Sequence, residues 1–417
     1  MNVLLSAYAC KPDSGSEPGN GWNWALHLAE RGLRVTVLTR REGQAAIEAC
    51  LLKNPIPNLS FAWVTVPTKI FRTGTGPHYF LWQLWAVRVA RRLHRQQRFD
   101  LAHHVTYESI HVPTQLWRLG LPTIFGPVGG GQTAPAEMLH YFGASRWKER
   151  ARTLLTAALS YSPLHRRWLS RMSVLFAANA DTLAIMRRLG RADASLEFEM
   201  GVAPHDIAPA PRAFRDDDQP LRLIWVGRML PRKALPLALD AFMQVRHHAL
   251  LTIVGNGLPE ETVREMIRTR GLTDRVFWAG RRLSMAEVDA AYREHDLLLF
   301  TSLRETLGVQ ILEAMARGLP VIALDLHGAG DVISPATGIK VPVTSPPQVA
   351  RDLAAAIDCF AAMTVEQKNA MSRSAWEFSK PYLWAMRAAR MEPVYRRVLE
   401  RGTTRQVEDA ADRTLVY

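Results

Sequence analysis

The sequence predicts an α/β fold of two doubly wound, Rossmann-like domains facing a cleft, on three observations. Short apolar runs alternate with helical stretches from the first residues to about residue 200, and the alternation starts again at 221 and continues to 375. A chain of 417 residues is too long for one ordinary core. Between the halves, residues 211–220 are bounded by Pro211 and Pro220 and carry Asp216, Asp217 and Asp218, which reads as a charged linker. The expected domains are therefore 1–210 and 221–376, followed by a helix over about 380–400 and a polar tail over 401–417.

In the first half the expected strands are 2–8, 35–40, 61–66, 100–105, 122–126, 174–178 and 196–200, most of them separated by helical stretches. The loop after the first strand contains Gly15 and Gly19 and precedes a helix expected over about 23–31. It is a poor match to the G-x-G-x-x-G dinucleotide pattern. Its glycines suit either close approach of backbone to a ligand or an ordinary Pro/Gly turn. A second Gly-rich turn, with Gly129 and Gly130, follows the strand over 122–126. His103–His104 and His247–His248 are adjacent pairs, and strand neighbours face opposite ways, so neither is a ready chelate.

In the second half a strand over 221–227 ends at Gly227 and delivers Arg228, with Lys233 in the loop before a helix starting near Ala234. The next strand runs over 251–255 into a tight turn at Gly255, and another over 276–280 leads to Arg281. The apolar run 296–302 reads as a buried parallel strand, 305–308 as its exit loop, and 309–317 as a helix stopped by Gly318 and Pro320. Glu305 and Glu313 bracket that helix start at the spacing E-x7-E. Backbone N–H groups near Thr306, Leu307, Gly308 and Val309 point outward at the helix N-terminus, where unpaired donors and the helix dipole attract phosphate. A carboxylate can accept from two neighbouring sugar hydroxyls. All of these residues fall at carboxyl ends of expected strands, where open parallel sheets bind ligands. Together they describe a sugar-nucleotide site.

These motifs, with the Gly-rich stretch ending at Asp331, resemble the GT-B retaining glycosyltransferases of family 4 over roughly 221–342. The family usually has Glu where this chain has Asp331. The resemblance implies that Arg228 and Lys233 bind the donor diphosphate, that Glu305 contacts the transferred sugar, and that Glu313 holds the ribose. It implies that Arg281 lies towards the base, that Gly15 and Gly19 approach the donor, and that the helix over about 380–400 packs back on the first domain. Many relatives carry a His near the second Gly-rich turn, where this chain has Gly129 and Gly130; His104 is the nearest substitute, with a buried structural role as the alternative. Retention at the anomeric carbon without a metal is implied, with no cofactor and a nucleoside-diphosphate sugar as co-substrate. No residue is identified as a base. Asp216–Asp218 imitates a D-x-D metal signature, but its place between two prolines favours a linker.

Charge is unevenly spread: residues 1–212 hold 25 Lys/Arg against 14 Asp/Glu, and residues 213–417 hold 27 against 25. On one expected helix Leu81, Leu84, Trp85, Arg88, Arg91, Arg92 and Arg95 share a face opposite Trp82, Ala86, Val89 and Leu93. Residues 146–171 interleave Trp147 and Trp168 with seven further cations. Apolar and basic groups on one surface suit an anionic membrane, with a solvated basic surface as the plain alternative. No nucleic-acid-binding motif accompanies the sequence pI of about 10.0. Cys10, Cys50 and Cys359 form neither a disulfide framework nor a zinc motif. With no leader pattern and no membrane-length apolar run, the expected location is cytoplasmic, peripheral at the inner face of the membrane. The expected function is transfer of a sugar to a glycan or lipid-linked acceptor in surface polysaccharide or glycolipid synthesis. The alternative is a catalytically silent sugar-nucleotide or glycan-binding partner.

Overall fold

The computed structural model describes residues 1–67, 71–215, 219–280 and 284–414, without the side chains of residue 285 and of 402–414. The chain divides into two compact units. One comprises Met1–Gly131, Ala158–Glu199 and Trp384–Tyr417; the other comprises Gln132–Ala157 and Met200–Leu383.

The first unit holds a seven-stranded parallel sheet of order β3-β2-β1-β4-β5-β6-β7. Its strands are β1 (Asn2–Ala7), β2 (Arg34–Thr39), β3 (Leu59–Trp63), β4 (Leu101–Thr106), β5 (Thr123–Val128), β6 (Val174–Ala177) and β7 (Ser195–Leu196). Helices α1 (Ser16–Glu30), α2 (Gln44–Lys53), α3 (Gly76–Gln97), α4 (Arg146–Leu159), α5 (Pro163–Leu169) and α6 (Ala180–Arg188) connect them. The period-2 geometry of β1 explains why two helical layers form. Val3, Leu5 and Ala7 join a core with Trp24 and Leu28 of α1, while Leu4 and Tyr8 join another with Tyr79 and Trp82 of α3.

The second unit holds a six-stranded sheet of order β10-β9-β8-β11-β12-β13. The strands are β8 (Leu221–Val226), β9 (Ala249–Val254), β10 (Val276–Trp278), β11 (Leu297–Phe300), β12 (Val321–Leu324) and β13 (Gly338–Val341). Helices α7 (Leu235–Phe242), α8 (Glu260–Arg268), α9 (Met285–Glu294), α10 (Val309–Ala316), α11 (His327–Val332), α12 (Pro346–Ala361) and α13 (Val365–Ser379) follow. The last helix, α14 (Trp384–Thr414), lies in the first unit and buries Trp384, Ala388, Met391 and Tyr395 against α1 and β1.

The structure departs from the sequence reading in three places that matter for the site. Residues 132–157, read as part of the first domain, belong to the second unit. Met138, Leu139 and Phe142 are buried in the core that also holds Leu235 and Leu239 of α7. Order along the chain had assigned the segment; apolar burial reassigns it. Helix α1 begins at Ser16 rather than near 23, because glycines let its first turns press on the preceding loop. A Cβ at Gly19 would lie 1.9 Å from the Ser14 carbonyl oxygen. Finally, the Gly-rich stretch ending at Asp331 is largely the short helix α11.

Candidate active site

The site is assembled at the carboxyl ends of β8, β9 and β11. Two glycines let the turns after β8 and β9 touch: a Cβ on Gly255 would stand 1.9 Å from the Gly227 carbonyl oxygen. Arg228, next in the chain, is exposed. A single 3₁₀ turn, Pro231–Lys233, then brings the chain back, with Ala234 in the left-handed region at φ 46°. This turn buries Lys233 to 5% exposure, packs its stem within 3.7 Å of the Cβ position of Gly227, and sets its ammonium 5.0 Å from the Phe300 ring centre.

Lys233 Nζ lies 2.6 Å from Glu305 Oε2, and Arg232 Nη1 donates to the same oxygen. Gln310 Oε1, on the first turn of α10, stands 3.4 Å from Lys233 Nζ. Burial works to raise the Glu305 pKa, but Lys233 and Arg232 outweigh it and hold the carboxyl below its usual value. Burial lowers Lys233, and the Glu305 charge offsets only part of that. The result is an anionic Glu305 between two cations, at the mouth of a helix N-terminus.

The loop over 303–308 is held on several sides. Arg304 donates to both oxygens of Glu149 on α4, from Nε at 2.8 Å and Nη2 at 3.0 Å. Gln132 Nε2 donates to Thr306 Oγ1 at 3.0 Å, and Gly328 N donates to the Thr306 carbonyl at 3.0 Å. Gly308 precedes α10 at φ 90°, with a Cβ position only 2.5 Å from the Phe300 ring, so a side chain there meets both strain and a clash. Leu307 and Gly308 are buried, and Val309 opens the helix. Glu313, one turn further on, accepts a hydrogen bond from the Tyr292 hydroxyl at 3.0 Å. Burial raises its pKa against the opposing effects of Tyr292 and Arg317. Arg317 is in turn paired with Asp206 and Asp289.

Lys233, Glu305, Thr306, Leu307, Gly308, Val309 and Glu313 therefore share one edge of the second unit with Gly227, Arg228 and Gly255. Sequence reasoning missed Arg232, Tyr292, Gln310, Gln132 and Glu149. Arg232 had a signal, as a second cation beside Lys233; the others reach the site from elements whose packing no motif encodes. Arg281 and Asp216–Asp218 lie outside the described residues. A concavity of about 930 Å³ in the same unit lies at the amino ends of the strands, lined by Arg212, Arg222, His247 and Asp296. It contains none of the site residues, and the chemistry of parallel sheets favours the opposite edge.

The residues expected on the acceptor side fare differently. His104 is fully buried, with Nδ1 2.9 Å from Ser6 Oγ and Nε2 2.7 Å from the Tyr79 hydroxyl. Burial depresses its pKa to about 3. It is a core histidine with no surface to offer a sugar. Gly129 and Gly130 are buried as well. Gly129 exchanges backbone hydrogen bonds with Glu108 and Ile110, and a Cβ on Gly130 would sit 3.0 Å from Ser109 Oγ. Gly15 caps α1 in open space, whereas Gly19 is a buried packing contact rather than a loop residue. Beside them, Glu17 accepts from the Tyr107 amide at 3.0 Å, near the buried Glu108.

Two family profiles match the chain, one described as Glycosyltransferase Family 4 over residues 22–193 and the other as Glycosyl transferases group 1 over residues 220–359. The 2-deoxystreptamine N-acetyl-D-glucosaminyltransferase of Streptomyces fradiae is 26% identical over 338 residues, covering 74% of each chain. The D-inositol 3-phosphate glycosyltransferase of Corynebacterium glutamicum is 30% identical over 181 residues, 41% of this chain and 42% of that protein. Among solved structures, a sucrose-phosphate synthase from Thermosynechococcus elongatus aligns with a TM-score of 0.65 at 17% identity, over 96% of this chain and 100% of its own. Anabaena Alr3699/HepE, solved in complex with UDP and glucose, aligns with a TM-score of 0.59 at 17% identity, over 94% and 99%. At these identities the solved structures establish a shared GT-B fold.

Proposed function

This chain belongs to the group 1, family 4 glycosyltransferases and is a transferase, and on that premise we propose that it moves a sugar from a nucleoside-diphosphate sugar to a hydroxyl of a glycan or lipid-linked acceptor. The observation that carries the reading is the contact of Lys233 with Glu305 at 2.6 Å, beside Arg228 and the start of α10. A departing diphosphate gains negative charge as the glycosidic bond breaks. Lys233 and exposed Arg228 supply fixed positive charge there, and the amides at Leu307 and Gly308 add helix-terminal donors. Glu305 is oriented by Arg232 and Lys233 to receive sugar hydroxyls. Glu313 keeps one carboxyl oxygen for the ribose while Tyr292 fixes the other. The proposed course retains the anomeric configuration, needs no metal ion, and leaves the departing phosphate to accept the acceptor's proton.

We also propose peripheral attachment to an anionic membrane in surface polysaccharide or glycolipid synthesis, on the cytoplasmic side. No helix among the described residues is long and apolar enough to cross a membrane. Support comes from single elements. On α3, Arg88, Arg91, Arg92 and Arg95 are exposed while Trp82 and Ala86 are buried, and Arg88 stacks 4.6 Å from the Trp85 ring centre.

The deciding experiment is nucleotide release from a panel of UDP-, GDP- and ADP-sugars with EDTA present, using native protein, Lys233→Ala and Glu313→Ala. One donor should be turned over, and Lys233→Ala should slow it by about a hundredfold, as for loss of one preorganised charge-stabilising donor. Glu313→Ala should abolish most release. Full activity in both variants would remove this edge from the chemistry, and nucleotide binding without release would mark a silent partner.

A further inference from the structure

A further cation stands beside the donor loop, and among the described residues it makes no ion pair. Arg152 lies on α4, one turn beyond Glu149. Glu149 accepts two hydrogen bonds from Arg304, and its charge is shared between Arg304 and Arg152. The Arg152 Nε atom is buried and makes no hydrogen bond, and among the described residues no ion pair includes this side chain. The charges that act on it most are those of Arg304, Glu149 and Arg232. Four cations, Arg152, Arg232, Lys233 and Arg304, thus meet the carboxylates of Glu149 and Glu305, with Glu313 also acting on Lys233, so cations outnumber carboxylates in this region.

Such an arrangement is costly without a ligand, because the buried Nε–H of the half-buried Arg152 has no acceptor. Burial first, and then the like charge of Arg304, make Arg152 hold its proton less tightly than usual, the opposite of a paired arginine. The planar fork of an arginine matches two oxygens of one phosphoryl group, whose negative charge would offset the excess. We propose that Arg152, with Arg232, binds a phosphoryl group against the loop over 303–308, as a subsite additional to Arg228 and Lys233. The phosphoryl group belongs either to the donor diphosphate or to a phosphate on the acceptor. The inference rests on the reading of this loop as a donor site.

The test is calorimetric titration of native protein, Arg152→Gln, Arg152→Lys and Lys233→Ala with inorganic pyrophosphate, with the nucleoside diphosphate released in the assay above, and with inorganic phosphate added after that nucleotide is saturating. Without any anion Arg152→Gln should melt no lower than native, since it removes a half-buried charge whose Nε–H has no acceptor, whereas a purely structural arginine would lower the melting temperature. Pyrophosphate affinity should fall about tenfold or more in Arg152→Gln, the loss of one charged hydrogen-bonding partner, and less in Arg152→Lys. A parallel loss of nucleotide affinity assigns the anion to the donor. Unchanged nucleotide affinity with lost phosphate binding to the saturated protein assigns it to the acceptor. Unchanged binding of all three probes by Arg152→Gln overturns the proposal. If Lys233→Ala loses pyrophosphate in that case, the donor site stands without Arg152; if it does not, the donor-site reading falls as well.

Discussion

At the scale of residues, Glu305 of the donor loop and Glu108 of the first unit show how differently burial treats a charge. Glu305 is surrounded by cations and stays ionised, while Glu108, 8% exposed, has burial and the like charge of Glu17 pushing its pKa well above the usual value. Between the ordinary value of 4.5 and that raised value, the folded protein keeps a proton that the unfolded chain releases. Stability on account of Glu108 is therefore fully present below 4.5 and is lost as pH rises, at about 1.4 kcal/mol per pH unit while the window lasts. Glu108→Gln should be nearly neutral at pH 4 and increasingly stabilising towards pH 8 in urea unfolding. A pH-independent difference would mean that Glu108 is solvated. Arg228, Lys233, Glu305 and Glu313 were legible in the sequence because their spacing follows strand ends, which local periodicity reveals. Tyr292, Gln132 and Glu149 were not, since each reaches α10 or the loop before it from an element distant in sequence. His104 misled because strand position says where a side chain points but not whether Ser6 and Tyr79 already occupy it.

At the scale of elements, α4 turns its apolar side outward. Trp147, Leu154 and Leu155 are 63%, 71% and 65% exposed, while Glu149, Thr156 and Leu159 are buried, so the helix is amphipathic in the reverse sense. Arg146, Lys148 and Arg150 are exposed beside that stripe. Three apolar side chains entering a bilayer interface contribute roughly 1.5–3 kcal/mol each at full burial, and the exposed arginines of α3 about 1 kcal/mol each near anionic lipid. Changing Trp147, Leu154 and Leu155 to Ser should therefore weaken sedimentation with anionic liposomes more than tenfold while leaving the melting temperature nearly unchanged. Changing Arg88, Arg91, Arg92 and Arg95 to Gln should remove the preference for anionic over neutral lipid and leave hydrolysis of soluble donor intact. Equal binding by native and both variants would sink the membrane reading. Eleven of the thirteen strands were anticipated from apolar runs. Of the two not singled out, β12 is a buried four-residue strand directly after the Gly318 and Pro320 helix stop, and β13 is a half-buried four-residue edge strand. The early start of α1 was hidden because glycine reads as a breaker, whereas Gly19 is there to fit the helix against Ser14.

At the scale of the whole molecule, the two units differ in charge and in chemistry. The first has 27 Lys/Arg against 16 Asp/Glu, and the second 25 against 23. Each has its own apolar core, and Arg228, Lys233, Glu305 and Glu313 all belong to the second. A ligand held by those residues stabilises the native state of that unit by about 2.7 kcal/mol at a hundred times its dissociation constant. Hydrogen exchange with saturating nucleoside diphosphate should then slow amides over 225–234 and 300–316, where backbone donors and the two cation-bearing turns meet the phosphates. Amides of β4 and β5, around His104 and Gly129, should exchange as before, because their side chains and glycines are already committed to packing. Protection confined to the first unit would contradict the assignment of the donor to β8, β11 and α10, whatever the turnover of the native protein.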